Sequence, residues 1–400
     1  MIEAPESGRP IEEMPIVAGR IANSGEPIRF AKAQRLDGVS ANSALGGMTA
    51  NVWVRRATTS VDPVFHQMVE SFSAVISHDA AQNHVRVPPL DGAKVVLYVM
   101  KADGTADLWI DNMAISMTCV VKRDVAPLTF IFEQDIADIL DMRFPCIDIH
   151  ETDRVLCLFR EGWRFALAFD FNPEGKLDLD SFCKTLGALH RDLRYRHIYD
   201  AMEDEVLFNR LATAGWFPFV EILISDFKEL LEHCRADLPL ADAEEKMLAA
   251  FNEGRLANIY KRWMAKPHFA AKEALLKSAV DAYNRLDAVA TIKIVLTEIE
   301  GIMGEAYRAV HGQSAKTKDL LQFVTAAAEQ RAGRPDTLMF PAAFARYLTA
   351  YTFANFDPIA QTGTAGSRHA VGHGAAATDS YTMTRALQAI LTLDQLAFYT

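Results

Sequence analysis

Arg368 and His373 stand five positions apart in G-S-R-H-A-V-G-H-G, residues 366–374, a stretch with no hydrophobic side chain larger than Val371. A guanidinium holds a phosphate in a two-point grip and stabilises negative charge that builds on it. An imidazole titrating near neutrality moves protons. The pair is therefore sufficient, in principle, to cut RNA without a metal. The nucleophile in that chemistry is the substrate's own 2′-hydroxyl, so DNA is spared. His369 adds a polar group directly after the arginine, and Gly374 lets the backbone approach a ligand closely.

Spacing alone does not select this pair. An arginine followed by four to six residues and then a histidine occurs four times: Arg143–His150, Arg191–His197, Arg262–His268 and Arg368–His373. With 26 arginines and 11 histidines in the chain, roughly two such matches arise by chance. Context separates them. The first match contains Pro145 in a strand-like stretch. The second sits in H-R-D-L-R-Y-R-H, which reads as a solvated, charged helix face, and the third ends just after Pro267 at a helix boundary. Only the fourth lies in a small-residue segment between two late helices.

Other chemistry-bearing residues are weaker. Lys316 and Lys318 follow His311-Gly312 in a polar link and offer positive charge to an RNA strand, against a plain solvated loop. Glu298 and Glu300, two apart in T-E-I-E-G-I, point to different faces of a helix. One is expected buried and paired, the other exposed. The cluster His190, Arg191, Arg194, Arg196 and His197 is the most basic stretch, and a solvated face is its expected fate. His78, Asp79 and His84 could be read as metal ligands, but histidines six positions apart fit no common helical ligand pair, and no metal is expected. Cys119, Cys146, Cys157, Cys183 and Cys234 form no Cys-x-x-Cys pair and read as idle thiols. Phosphate-binding and dinucleotide glycine motifs are missing, as is a serine nucleophile elbow, so no cofactor is expected.

The elements that must position these residues follow from composition and period. Half of the 400 residues are apolar and 23% are charged, the balance of a folded chain with room for two or three domains. The net charge of −11 argues against wholesale binding to nucleic acid, though not against a local site for one phosphate. No apolar run reaches a membrane span, and the acidic start Met1-Ile2-Glu3 is unlike an export signal, so a cytoplasmic protein with no membrane partner is expected.

Residues 1–50, rich in Gly, Pro, Ala and Ser, read as a loosely structured arm or the first strands of the next unit. Residues 51–176 read as a β-rich domain. Asp103-Gly104 and Glu161-Gly162 each join two apolar runs and predict hairpins in an antiparallel sheet with one buried face. Trp109, Trp163 and Phe165 are its expected aromatic core. From 177 to 400 the period turns helical. Phe219, Leu223, Phe227, Leu230 and Leu231 mark one side of a helix, and Asp242 with Glu245 suggests a capping box. Pro267 begins another helix, and 341–355 and 379–398 are the last two expected. The fold class is therefore α+β, an antiparallel β-rich domain followed by a helical array.

S-R-H-A-V-G-H-G, a polar gap with Tyr381 and a closing apolar helix together resemble the arginine–histidine motif of HEPN-domain proteins. G-W-F-P-F (215–219), T-E-I-E-G-I (297–302) and L-T-L-D-Q-L (391–396) extend the likeness to large uncharacterised bacterial members, over roughly the C-terminal half. R-E-G-W-R-F-A-L-A-F-D-F (160–171) looks like their N-terminal part and implies no known activity. Many HEPN proteins are ribonucleases of toxin–antitoxin or antiphage systems, and others are inactive binding modules. The resemblance implies Arg368 as phosphate ligand, His373 as proton-transfer residue and His369 in support. It also implies a homodimer whose two copies complete the site, an RNA substrate, and an antitoxin or regulatory partner. Gly372, a poor helix residue directly before His373, is the one departure. The expected function is a metal-independent endoribonuclease. A non-catalytic HEPN interaction or RNA-binding module is the competing class, and a metal hydrolase built on the N-terminal histidines a distant third.

Overall fold

The computed structural model describes residues 25–224, 226–332, 336–354 and 364–399. The chain divides into two compact units, one holding residues up to 117 together with 141–194, the other holding 118–140 and 195 onward.

The first unit is built on a sheet. Its elements are β1 (Ile28–Phe30), β2 (Val39–Ser40), β3 (Val52–Trp53), β4 (Arg55–Thr59), α1 (Phe65–Gln82), β5 (Val95–Met100) and β6 (Ala106–Ile110). The chain continues through β7 (Ser116–Val121) and β8 (Ile136–Arg143), a separate two-stranded pair, to β9 (Arg154–Glu161) and β10 (Arg164–Asp170). Six strands lie in the order β1-β6-β5-β9-β10-β4, with every neighbouring pair antiparallel. The two hairpins form where the turn residues place them. Gly104 and Gly162 carry φ of 86° and 60°, values that favour glycine over residues with a Cβ.

Both faces of this sheet are buried, not one. Val96, Tyr98, Leu156 and Phe169 pack with Phe65, Met68, Phe72 and Ile76 of α1. Leu97, Val99, Val155, Cys157 and Ala168 pack with Phe182, Leu186 and Leu189, which lie on α2 (Leu179–Glu203). The reason is visible in V-V-L-Y-V-M, where successive apolar residues leave no polar face for water. Trp163 corrects a second expectation. It occupies the tip of the β9–β10 turn and is 95% exposed, whereas Trp109 is buried and Phe165 half-buried. On α1, Asp79 is fully buried and accepts from the Tyr98 hydroxyl at 2.6 Å and the Gln34 N–H at 3.1 Å. Its carboxylate is thus committed to the fold. The neighbouring His78 is exposed and bonds Gln82.

α2 is broken at Tyr195 (φ −110°, ψ 18°), where the second unit begins. Arg191, expected on a solvated face, is only 1% exposed. Then follow α3 (Glu205–Thr213), α4 (Asp226–Arg235), α5 (Ala241–Ala250), α6 (Glu253–Met264), α7 (Pro267–Ala270), α8 (Glu273–Asn284), α9 (Ala288–His311) and α10 (Thr317–Ala332). α11 (Pro341–Tyr347) runs into a π-helical turn, Leu348–Thr352, and α12 (Arg368–Gly372) and α13 (Met383–Tyr399) close the described chain. Side-chain caps start several of them: Asp204 for α3, Asn252 for α6 and Asp287 for α9.

α13 is the axis of the unit, buried from Ala386 to Tyr399 and packed against α5, α6, α9 and α10. Two helix starts differ from expectation. Phe219 and Leu223 are buried in a turn segment, not on a helix, because α4 begins only at Asp226. That turn is held by the Val220 N–H, which donates to the buried Gln395 side chain at 2.8 Å. α5 is capped by the backbone at Leu240, so Asp242 lies inside its first turn and forms no capping box. Residues 355 and beyond in the expected helix 341–355 lie outside the described residues. Among the described residues no helix is long and apolar enough to cross a membrane.

Candidate functional site

The segment before Arg368 is shaped by a close approach. A Cβ on Gly366 would lie 2.1 Å from Tyr351 Cζ, so only glycine lets the chain pass this ring. Ser367 caps α12, and its hydroxyl accepts from the Ala370 N–H at 3.4 Å. Arg368 is therefore the first residue of a five-residue helix. Gly372 is its last residue, and His373 is the C-cap (φ −88°, ψ 0°) outside it.

Gly374 ends the helix. With φ of 69° it lets its own N–H donate to the Val371 carbonyl at 3.1 Å and the Ala375 N–H to the Ala370 carbonyl at 2.8 Å. These are the two bonds of a Schellman termination. The close backbone approach expected at Gly374 is thus used within the chain.

Arg368 Nη2 pairs with Glu300 Oε2 at 2.5 Å, and the Thr317 hydroxyl donates to Glu300 Oε1 at 2.9 Å. One carboxylate on α9 thereby ties α12 to the first residue of α10. Arg368 remains 30% exposed, and its Nε is buried with no hydrogen-bond partner among the described residues. Lys316 and Lys318 flank Thr317 and are both exposed, so the fold brings the two lysines to the same neighbourhood as the arginine. Lys318 also lines an open groove of about 660 Å³ with residues of α10 and α11.

The histidines are placed differently. His373 is exposed and its backbone N–H donates to the His369 carbonyl at 3.0 Å, while His369 is half-buried. The arginine makes no ion pair or hydrogen bond with either histidine among the described residues. Glu298 is buried and bonds Lys272 at 3.4 Å, as one of the two glutamates was expected to do. Glu300, the other of the two, is half-buried and is the arginine's partner.

A second, denser charge cluster escaped the sequence reading. Arg262 on α6 donates to both oxygens of Asp394 on α13, at 3.0 and 2.7 Å, and to Glu221 at 2.8 Å. Asp394 is 1% exposed and also accepts from Trp263 Nε1 at 3.0 Å. Burial pushes the Asp394 carboxyl up, and the Arg262 guanidinium opposes that push. Arg255, two turns earlier on the same face of α6, grips Glu221 at 3.1 Å and Asp226 at 3.0 Å. Spacing matches Arg262 to His268, yet its partners are carboxylates far along the chain.

Among the described residues, no group of three or more His, Cys, Asp or Glu side chains is placed to hold a metal ion. None of the five cysteines forms a disulfide among the described residues, and burial pushes the Cys157, Cys183 and Cys234 thiols up, Cys183 to about 11. Comparison with family models, curated proteins and solved structures finds no match.

Proposed function

We propose that the chain is a metal-independent endoribonuclease of the HEPN type, with Arg368 as phosphate ligand and His373 as the proton-transfer residue. The observation that carries this reading is the state of Arg368. Its guanidinium is positioned by Glu300, yet it stays 30% exposed, with the rest of its fork unpartnered among the described residues. Exposed Lys316 and Lys318 beside Thr317 supply further positive charge for an RNA backbone. His373 stands at an exposed helix end, where a leaving or attacking hydroxyl would meet it. A homodimer would bring a second copy of the pair, and with it a histidine from one copy toward the arginine of the other.

One observation favours the non-catalytic reading. Glu300 neutralises Arg368, and His373 stands beyond the short helix that holds the arginine. In that case the segment is a capped turn in an interaction module.

Purified protein incubated with RNA in EDTA separates the two. Under the ribonuclease reading, wild type cuts, and Arg368→Ala and His373→Ala each lower the rate by about a hundredfold or more. Equal inactivity of all three proteins, with RNA bound intact, establishes the binding module. Sedimentation of the wild type tests the dimer in the same preparation.

A further inference from the structure

Within the second unit, the β7–β8 connection, the turn at Glu221 and one face of α6 enclose a polar cavity of about 270 Å³. None of its lining residues belongs to the Arg368 segment. Lys122 enters it from the end of β7, where its N–H is fixed to the Asp135 carbonyl at 2.8 Å and its own carbonyl accepts from Arg262. The Lys122 side chain is only 9% exposed, yet its ammonium has neither an ion pair nor a hydrogen bond among the described residues. Its three N–H donors therefore face the open space of the cavity, where water or a ligand oxygen accepts from them.

The rest of the lining says what that acceptor is. Arg123, Arg255 and Arg262 bring the cations facing the cavity to four, against the carboxylates of Asp135 and Glu221. Asp226 and Asp394, the other carboxylates of the network, pair with the arginines and do not line the space. Gln134 and Asn258 add uncharged amide donors. The arginine forks are largely occupied, which holds them rigid and leaves Lys122 as the donor waiting for an oxyanion.

We propose that this cavity binds a small phosphate monoester, with the phosphate on Lys122 and its hydroxyl-bearing body among Gln134, Asn258 and Glu221. Each arginine of the network is paired with a carboxylate, so Lys122 is the cation left for the phosphate, and the volume admits a phosphate with a body of only a few carbons. The proposal rests on residues apart from Arg368 and His373 and is independent of the ribonuclease reading.

Calorimetric titration of the full chain with glycerol 3-phosphate, inorganic phosphate and acetate tests it. Saturable binding of the two phosphates, and weaker binding of acetate, is expected at pH 7. Lys122→Met, which keeps the bulk of the side chain, should weaken glycerol 3-phosphate binding by about ten- to a hundredfold, the worth of a charge-assisted hydrogen bond. Lys122 gives up its proton at about 8, lowered by burial and by Arg255 and Arg262 and raised by Glu221 and Asp226. Arg123 and Asp135 face the same space from the β7–β8 side. Glycerol 3-phosphate stays dianionic above pH 7, so a fall in its affinity between pH 7 and 9 reports the lysine. No saturation below about 10 mM, equal binding by Lys122→Met, or acetate binding as tight as phosphate overturns the proposal. Should the variant fail to fold, amine-selective labelling of wild-type Lys122 at pH 8 takes its place. Saturating glycerol 3-phosphate must then slow the labelling, and an unchanged rate overturns the assignment.

Discussion

Arg262 and Arg368 head two copies of the same sequence spacing, arginine followed by a histidine a short way on, and the fold uses them in opposite ways. Arg262 is drawn into the interior, where Asp394 and Glu221 occupy its fork and its histidine plays no part. Arg368 stays near the surface with a single carboxylate, Glu300. What distinguishes them is the neighbouring helix. α13 carries an aspartate on its fully buried length, and a buried carboxylate demands a cation. α9 presents Glu300 at its half-exposed edge, where water already solvates the charge. An interior arginine is a strut for its partners, and an edge arginine retains capacity for a ligand.

The sharpest test of that contrast is the buried pair. Arg262→Met leaves Asp394 charged in the interior and deprives Glu221 of a partner, so a loss of about 3–5 kcal/mol in denaturant unfolding is expected. The loss should shrink as pH falls, because burial already pushes the Asp394 carboxyl up and a protonated carboxyl no longer needs the cation. Arg262→Met combined with Asp394→Leu should recover most of the stability. A loss below about 1 kcal/mol in the single variant would mean the interior pair is solvated like the edge one.

Lys122 gives the opposite sign in the same cavity. Its folded-state pKa of about 8 lies below the ordinary 10.5, so the unfolded chain holds the proton more tightly. Below pH 8 both states are charged and the burial cost is felt in full. As pH rises from 8 to 10.5 the folded form is neutral while the unfolded form is still protonated, and stability is gained through that window. Lys122→Met should therefore stabilise the protein at pH 7 by about 1–3 kcal/mol, and the gain should vanish near pH 10.5. Lys266, also lowered to about 8 by burial and by Arg331, gives a slope of the same sign that the variant must retain. Thermal unfolding of both proteins from pH 7 to 10 measures the difference.

Local chemistry explains which parts of this molecule were readable. The hairpins at Asp103-Gly104 and Glu161-Gly162 depend on a turn residue tolerant of positive φ, and that is written at one position each. α9 and α13 carry long helical periods and were equally plain. Reading 51–176 as strands alone misses α1, although Phe65, Met68, Phe72 and Ile76 mark one helical face. The second covered face of the sheet follows from that same omission. The Arg262 network could not be read, because it joins β7, the turn at Glu221, α6 and α13, and nothing local in R-W-M or L-D-Q names the partner. The Arg368 segment lies between these cases. Its residue types and its capping glycine were legible, but the carboxylate that holds the arginine was not.

Glu300 is where the edge site can be sharpened. The pair is about 30% exposed on each side, so Glu300→Gln should change stability by less than about 1 kcal/mol, even with the Thr317 contact weakened. Its effect on RNA is the informative quantity. If Arg368 grips phosphate, the substrate competes with Glu300 for the same fork, and removing the carboxylate's charge should lower KM by about three- to fivefold while leaving kcat within about twofold. A purely positional role for Glu300 predicts the reverse, a fall in kcat as the guanidinium loses its anchor. A capped turn with no ligand predicts no change in either cleavage or RNA binding. The three outcomes differ in sign, so a variant with almost no effect on folding distinguishes an arginine held ready from one already spent on its neighbour.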